Sequence, residues 1–285
     1  MEKITYRIPE ELSGTTVKDC LKKQLKLSST LITKVKFGGI LKNGEAVTVR
    51  AVLNKDDVLT INFPIEESEN IEPIELPIDI IYEDENILAV NKPRNMPVHP
   101  SKGNHLVTLA NAVRAYFGKP FVFRAVNRLD RDTSGIVVIA KDQHTASMLS
   151  NEIKSGNFEK YYLALLARAP KERCGMISAP IEREKEGSIK RIVREDGKSA
   201  VTEYEIKEVY ENGTALCHIK LHTGRTHQIR VHMAHVGAPL YNDFLYGERV
   251  DEEDTYYLCC YKLAFTHPVT KERITLKTEK SIDEY

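Results

Sequence analysis

Two apolar runs, FVFRAV (121–126) and IVVIAK (136–141), stand nine residues apart. A parallel crossover needs a connection of about a dozen residues or more. If both runs are strands, the link NRLDRDTSG therefore makes them antiparallel neighbours. Further strand-like runs, ILAVNK (87–92), YYLALLA (161–167) and TALCHIKL (214–221), alternate irregularly with helical patterns over 106–117 and 142–155. AVTEYEIKEVY (200–210) has the two-residue period of a half-buried strand. No regular strand-helix repeat is present. The expected class is α+β, with a mixed, mostly antiparallel sheet and helices packed on it.

The charge balance looks wrong for a nucleic-acid binder, since 41 basic residues cancel 41 acidic ones. The charges are unevenly placed, however. Residues 1–63 carry 11 basic and 7 acidic side chains, residues 64–86 carry 0 and 9, and residues 87–285 carry 30 and 25. One acidic strip thus masks two basic regions. Pro64, Pro73 and Pro77 interrupt that strip, so a division into residues 1–63, an acidic linker 64–78 and a larger unit 79–285 is expected. No apolar run reaches the roughly eighteen residues of a membrane span, and the start lacks a signal-peptide core. A cytoplasmic protein is expected. Cys20, Cys174, Cys217, Cys259 and Cys260 are odd in number and form no Cys-x-x-Cys pair, which fits reduced thiols better than disulfides or a thiolate zinc site.

Within the first unit, Val17, Leu21 and Leu25 recur at helical spacing, and a second short helix is expected over 29–37, ending at Gly38-Gly39. Ile40, Leu41, Val47, Val49, Val52, Val58, Leu59 and Ile61 then suggest short strands around the turns Asn43-Gly44 and Asp56-Asp57. This layout resembles the small RNA-binding domain named after ribosomal protein S-four. The resemblance implies that Lys22, Lys23, Lys26, Lys34 and Lys36 face structured RNA. A solvated helix face is the alternative.

The chemistry concentrates in NRLDRDTSG, where Arg128, Asp130, Arg131 and Asp132 are ionisable within nine residues. Asp132, Thr133 and Ser134 suit a turn before Gly135. Asp130, flanked by arginines near the mouth of a sheet, suits a nucleophile or base. The segment resembles the His-Arg-Leu-Asp signature of the RluA/RluD-type pseudouridine synthases, with Asn127 in the histidine's place. The resemblance implies that Asp130 attacks the target nucleoside, at sugar or base, and that Arg128 fills the gap left by an extruded uridine. Asn127 and Arg131 would join Arg128 in contacting RNA.

Other segments fit the same family in order. FEKYYLALL resembles its Lys-x-Tyr-x-Ala pattern, which makes Tyr162 the residue that stacks on the detached uracil and helps take its C5 proton, while Tyr161 points to the opposite face. LHTGRTHQIRVHMAHVG resembles its Gly-Arg-Thr-His-Gln segment, which implies that Arg225 pairs with Asp130 and that a helix opens near Arg225. KPRNMPVHP and APLYNDFLYG match two loops in which the family has glycine, here Asn95 and Asn242, and asparagine tolerates positive φ. LCCYKLAFTHPVTKE resembles the closing strand.

His218, His222, His227, His232 and His235 also invite a zinc reading, but no His-Glu-x-x-His pattern accompanies them. The family resemblance implies an RNA substrate, ribosomal RNA ahead of transfer RNA, with no cofactor, no metal, no membrane and a monomeric enzyme. Two other readings stay open: a noncatalytic RNA-binding module, and a glycosidase or nucleotide hydrolase, which would ordinarily need a second carboxylate.

Overall fold

The computed structural model describes residues 3–64, 71–100, 106–118, 121–250 and 255–278. Part of the acidic strip, 65–70, lies outside them. In the N-terminal unit, β1 (Lys3–Arg7) precedes α1 (Val17–Asp19), which continues as a π-type turn over Cys20–Gln24. Then come α2 (Ser29–Val35), β2 (Ile40–Lys42), β3 (Glu45–Ala46) and β4 (Val58–Asn62), giving an antiparallel sheet of order β1-β4-β2-β3. Thr16 and Ser28 cap the helices through hydroxyl groups that accept the N–H of Asp19 and of Leu31. The apolar alternation through Val47, Val49 and Val52 does not produce a continuous strand. The carbonyls of Val49 and Ala51 instead accept the N–H groups of Lys18 and Val17, both at 2.9 Å, which are among the donors a helix start leaves unpaired. Ile8, Val17, Leu21, Leu31, Ile40, Leu59 and Ile61 form a separate apolar core.

The larger unit is built on nine strands. They are β5 (Asp79–Glu83), β6 (Ile87–Lys92), β7 (Ser134–Ala140), β8 (Glu159–Leu166), β9 (Cys174–Ser178), β12 (Val201–Val209), β13 (Ala215–Leu221), β14 (Leu258–Thr266) and β15 (Arg273–Lys277). A separate hairpin joins β10 (Ile181–Arg183) and β11 (Arg191–Val193). The sheet order is β5-β6-β7-β14-β8-β13-β12-β9, with β15 also on β14. Every pairing is antiparallel except β7 with β14, so the mixed α+β expectation holds. Helices α3 (Leu109–Phe117), α4 (Gln143–Lys154) and α5 (Gln228–His235) complete the unit.

FVFRAV is not a full strand. It makes a single bridge, Ala125 to Ile139, flanked by Val126 N–H to Val138 O at 2.7 Å and Ala140 N–H to Arg124 O at 2.9 Å. The reason lies in how β7 is shared: β14 takes the edge at Ser134 and Gly135, leaving only the far end for 124–126. Gly135 (φ 108°) makes that approach possible, because a Cβ there would sit 2.3 Å from the carbonyl oxygen of Cys260. The loop 127–133 therefore emerges beside the β7–β14 seam. Asn95 and Asn242 both adopt φ 57°, the left-handed conformation anticipated for them.

Candidate active site

A cavity of about 710 Å³ opens beside Asp130, walled by residues 127–131, Thr133, Lys160, Tyr162 and residues 224–230. That is ample room for one nucleoside. Three pieces of chain meet here: the loop entering β7, the face of β8, and the turn from β13 to α5. The Asp130 carboxylate is about one-third exposed, 32%.

The loop is pinned from behind. Lys92 ends the apolar strand β6 fully buried, and its Nζ donates to the carbonyls of Pro93 (2.7 Å), Met96 (2.7 Å) and Arg131 (3.0 Å). It thus ties the 93–96 loop to the residue after Asp130. Burial pulls its pKa down to about 7, against the attraction of Asp132 and Asp130. Between about pH 7 and its ordinary 10.5, the folded chain binds fewer protons than the unfolded one, so Lys92 makes stability rise with pH across that window. Lys92→Met should cost about 3 kcal/mol through carbonyls left unpaired. The gap from wild type should be wider at pH 9 than at pH 6, and a gap that is flat with pH in melting experiments would contradict this account.

Tyr162 and Lys160 occupy the buried face of β8, while Tyr161 lies on the other face under Lys220 and Lys262. Burial first, and then the neighbouring Cys260, keep the Tyr162 phenol well above its ordinary pKa. It is therefore a protonated aromatic wall rather than a ready phenolate.

The expected pair of Arg225 with Asp130 is not formed. Helix α5 begins at Gln228, not near Arg225, because His227 (φ 57°) turns the chain in the left-handed region just before it. Arg225 stays on the exposed rim, where its Nε donates to Ser199 O at 2.9 Å. Two other side chains of the same segment, His227 and Arg230, act on Asp130 instead. His227 Nε2 is 3.9 Å from Asp130 Oδ2. Tyr246 Oη accepts the Arg191 N–H at 2.8 Å and lies 2.8 Å from His227 Nδ1. In the tautomer that accepts the Tyr246 proton on Nδ1, Nε2 carries the imidazole proton toward the carboxylate. Burial lowers the His227 pKa, with Asp130 opposing and Arg230 and Arg191 assisting, which fits a neutral ring.

Arg230 is 4% exposed and makes a bidentate bond to Asp243 (2.7 and 2.7 Å), with Tyr256 stacked 4.2 Å from its guanidinium carbon. Burial opposes its charge, but the Asp243 bonds and the fields of Tyr256 and Asp130 leave its pKa raised. It is thus a permanent positive charge behind the carboxylate. Its partner Asp243 is a buried carboxylate that requires a cation, a burial that only the fold reveals.

Asn127 also needs reassignment. It is buried, donating from Nδ2 to Ile136 O (2.9 Å) and accepting the Val138 N–H (2.9 Å), so its amide fastens the loop to β7. Arg128 is exposed, and Arg131, exposed too, holds the buried Asp132. In the N-terminal unit Lys22, Lys23, Lys26 and Lys34 are exposed and Lys36 half-buried. The histidines do not converge: His222 meets Glu203, His232 meets Thr202 and Ala179 O, and His218 packs on Tyr261. Among the described residues no helix is long and apolar enough to cross a membrane.

Comparison with known proteins places this geometry in context. Residues 86–235 match the model of the RNA pseudouridylate synthase family. The chain is 38% identical over 257 residues to the uncharacterized RNA pseudouridine synthase YjbO of Bacillus subtilis (strain 168), covering 88% of this chain and 90% of that protein. It is also 38% identical over 224 residues to ribosomal large subunit pseudouridine synthase D of Xanthomonas campestris pv. campestris, covering 77% of this chain and 66% of that one. The solved structure of human RNA pseudouridylate synthase domain containing 1 superposes with a TM-score of 0.61 at 28% identity, over 74% of this chain and 86% of that one. The fold, the order of its segments and the matched sequence lead to one conclusion: this chain belongs to the RNA pseudouridylate synthase family, isomerases acting on RNA.

Proposed function

We propose that the enzyme isomerises particular uridines of ribosomal RNA in the cytoplasm, with Asp130 as its reactive group and no cofactor consumed. The observation that carries this reading is the Asp130 carboxylate in the wall of a nucleoside-sized cavity, with buried Tyr162, His227 Nε2 and the Arg230 charge around it. A uridine inside folded RNA must first be extruded, at a cost of a few kcal/mol. Arg128, exposed on the rim, fills the gap it leaves. Asp130 then initiates cleavage of the N1–C1′ bond, by adding to the nucleoside or by assisting elimination, and uracil departs with the bonding electrons on N1. The freed ring turns against Tyr162 and C5 bonds to C1′. Loss of the C5 proton and protonation of N1 balance the reaction, and Asp130 is released unchanged.

Residues 1–63 hold the RNA through Lys22, Lys23, Lys26, Lys34 and Lys36, and the name of the Xanthomonas relative supports the large ribosomal subunit as the target. The test is tritium release from ribosomal RNA transcripts labelled at uracil C5. Release with RNA mass unchanged is the expected result. Loss of the base mass would indicate a hydrolase, and binding without release a noncatalytic module.

A further inference from the structure

A second depression, of about 290 Å³, adjoins the first and shares Gly224, Arg225 and Thr226 with it. Arg183, Arg191, Lys198 and Arg225 line it, and Glu182 is the one carboxylate among its lining residues. The register of β10 with β11 sets Arg183 directly opposite Arg191, and like charges at facing positions repel. Their guanidiniums converge all the same, both Nη1 atoms donating to Ser188 O at 2.7 and 3.2 Å. Lys198 is brought alongside by its bridge to Ile181, and Arg225 by its bond to Ser199 O. The hairpin is fixed relative to the reacting carboxylate, because the Arg191 N–H bonds Tyr246, which bonds His227. One carboxylate beside four cations leaves the lining net positive, since the carbonyls of Ser188, Ile189, Lys190 and Ser199 that the guanidiniums also meet carry no net charge. An anion with several oxygens would compensate the cations.

We propose that this depression seats a phosphodiester of the RNA next to the nucleotide held at Asp130, the backbone passing from one cavity to the other over Gly224. The inference rests on the Asp130 cavity being the uridine site, but its test does not need turnover. Fluorescein-labelled pentauridylate is titrated by anisotropy between about 50 and 200 mM salt, where each neutralised phosphate of a single strand contributes about 0.7 to the slope of log affinity against log salt. The double variant Arg183→Gln/Lys198→Gln should weaken binding about tenfold and reduce the slope by about 0.7. Lys171→Gln, an exposed lysine outside the depression, should change neither. A pentamer with uncharged methylphosphonate linkages should bind wild type and double variant alike. An unchanged slope in the double variant, an equal loss in Lys171→Gln, or continued discrimination with the uncharged pentamer overturns the proposal. Absent tritium release alongside the expected slopes would instead count against the isomerase reading.

Discussion

Asparagine in place of Asp130 is expected to cut turnover by at least about 10⁴-fold while leaving RNA affinity within about twofold. The substitution keeps the side chain's size and removes only its charge and nucleophilicity. The carboxylate is one-third exposed, with His227 Nε2 no closer than 3.9 Å, so the fold loses little and stability should move by about 0.5 kcal/mol or less. Affinity should not fall, because the lost charge has the same sign as RNA phosphate. Single-turnover tritium release reads the first quantity and filter binding the second. Turnover within tenfold of wild type would remove Asp130 from the chemistry. Loss of binding together with turnover would recast it as a structural anchor.

The antiparallel frame was legible because connection length is a hard geometric limit, and the nine residues between FVFRAV and IVVIAK leave no room for a crossover. What periodicity missed was decided by partners distant in sequence. β14, more than 100 residues later in the chain, takes β7's edge at Ser134 and Gly135, and the 124–126 segment keeps only the far end. Val47 to Val52 alternate like a strand, yet carbonyls in that stretch satisfy the start of α1. The site shows the same limit more sharply. Gly224-Arg225 looks like the opening of a helix, but the left-handed His227 delays α5 to Gln228, and a shift of three residues changes which arginine turns inward. Lys92 and Arg230 are buried charges, and their acceptors, Arg131 O and Asp243, lie 39 and 13 residues away. Local pattern carries no record of such pairings.

The second large effect concerns Arg230. Arg230→Gln should destabilise the protein by about 3–5 kcal/mol, because it strands the Asp243 carboxylate, which is 0% exposed, without its cation. For a chain of this size the melting temperature should fall by on the order of 10 °C. Turnover should fall as well, by about 10²-fold, through loss of a fixed positive charge behind Asp130. A drop in both does not by itself separate scaffold from electrostatics. The double variant Arg230→Gln/Asp243→Asn does. The oxygen of the introduced asparagine amide can still accept the Leu245 and Tyr246 N–H groups that Asp243 now holds at 3.1 and 3.2 Å, and the two amides can bond each other without charge. Stability should therefore return to within about 2 kcal/mol of wild type, while turnover stays low because the buried charge of Arg230 is still missing. Recovery of turnover along with stability would show that Arg230 serves only to hold the loop of Asp243, and that the field acting on Asp130 originates elsewhere in the cavity wall.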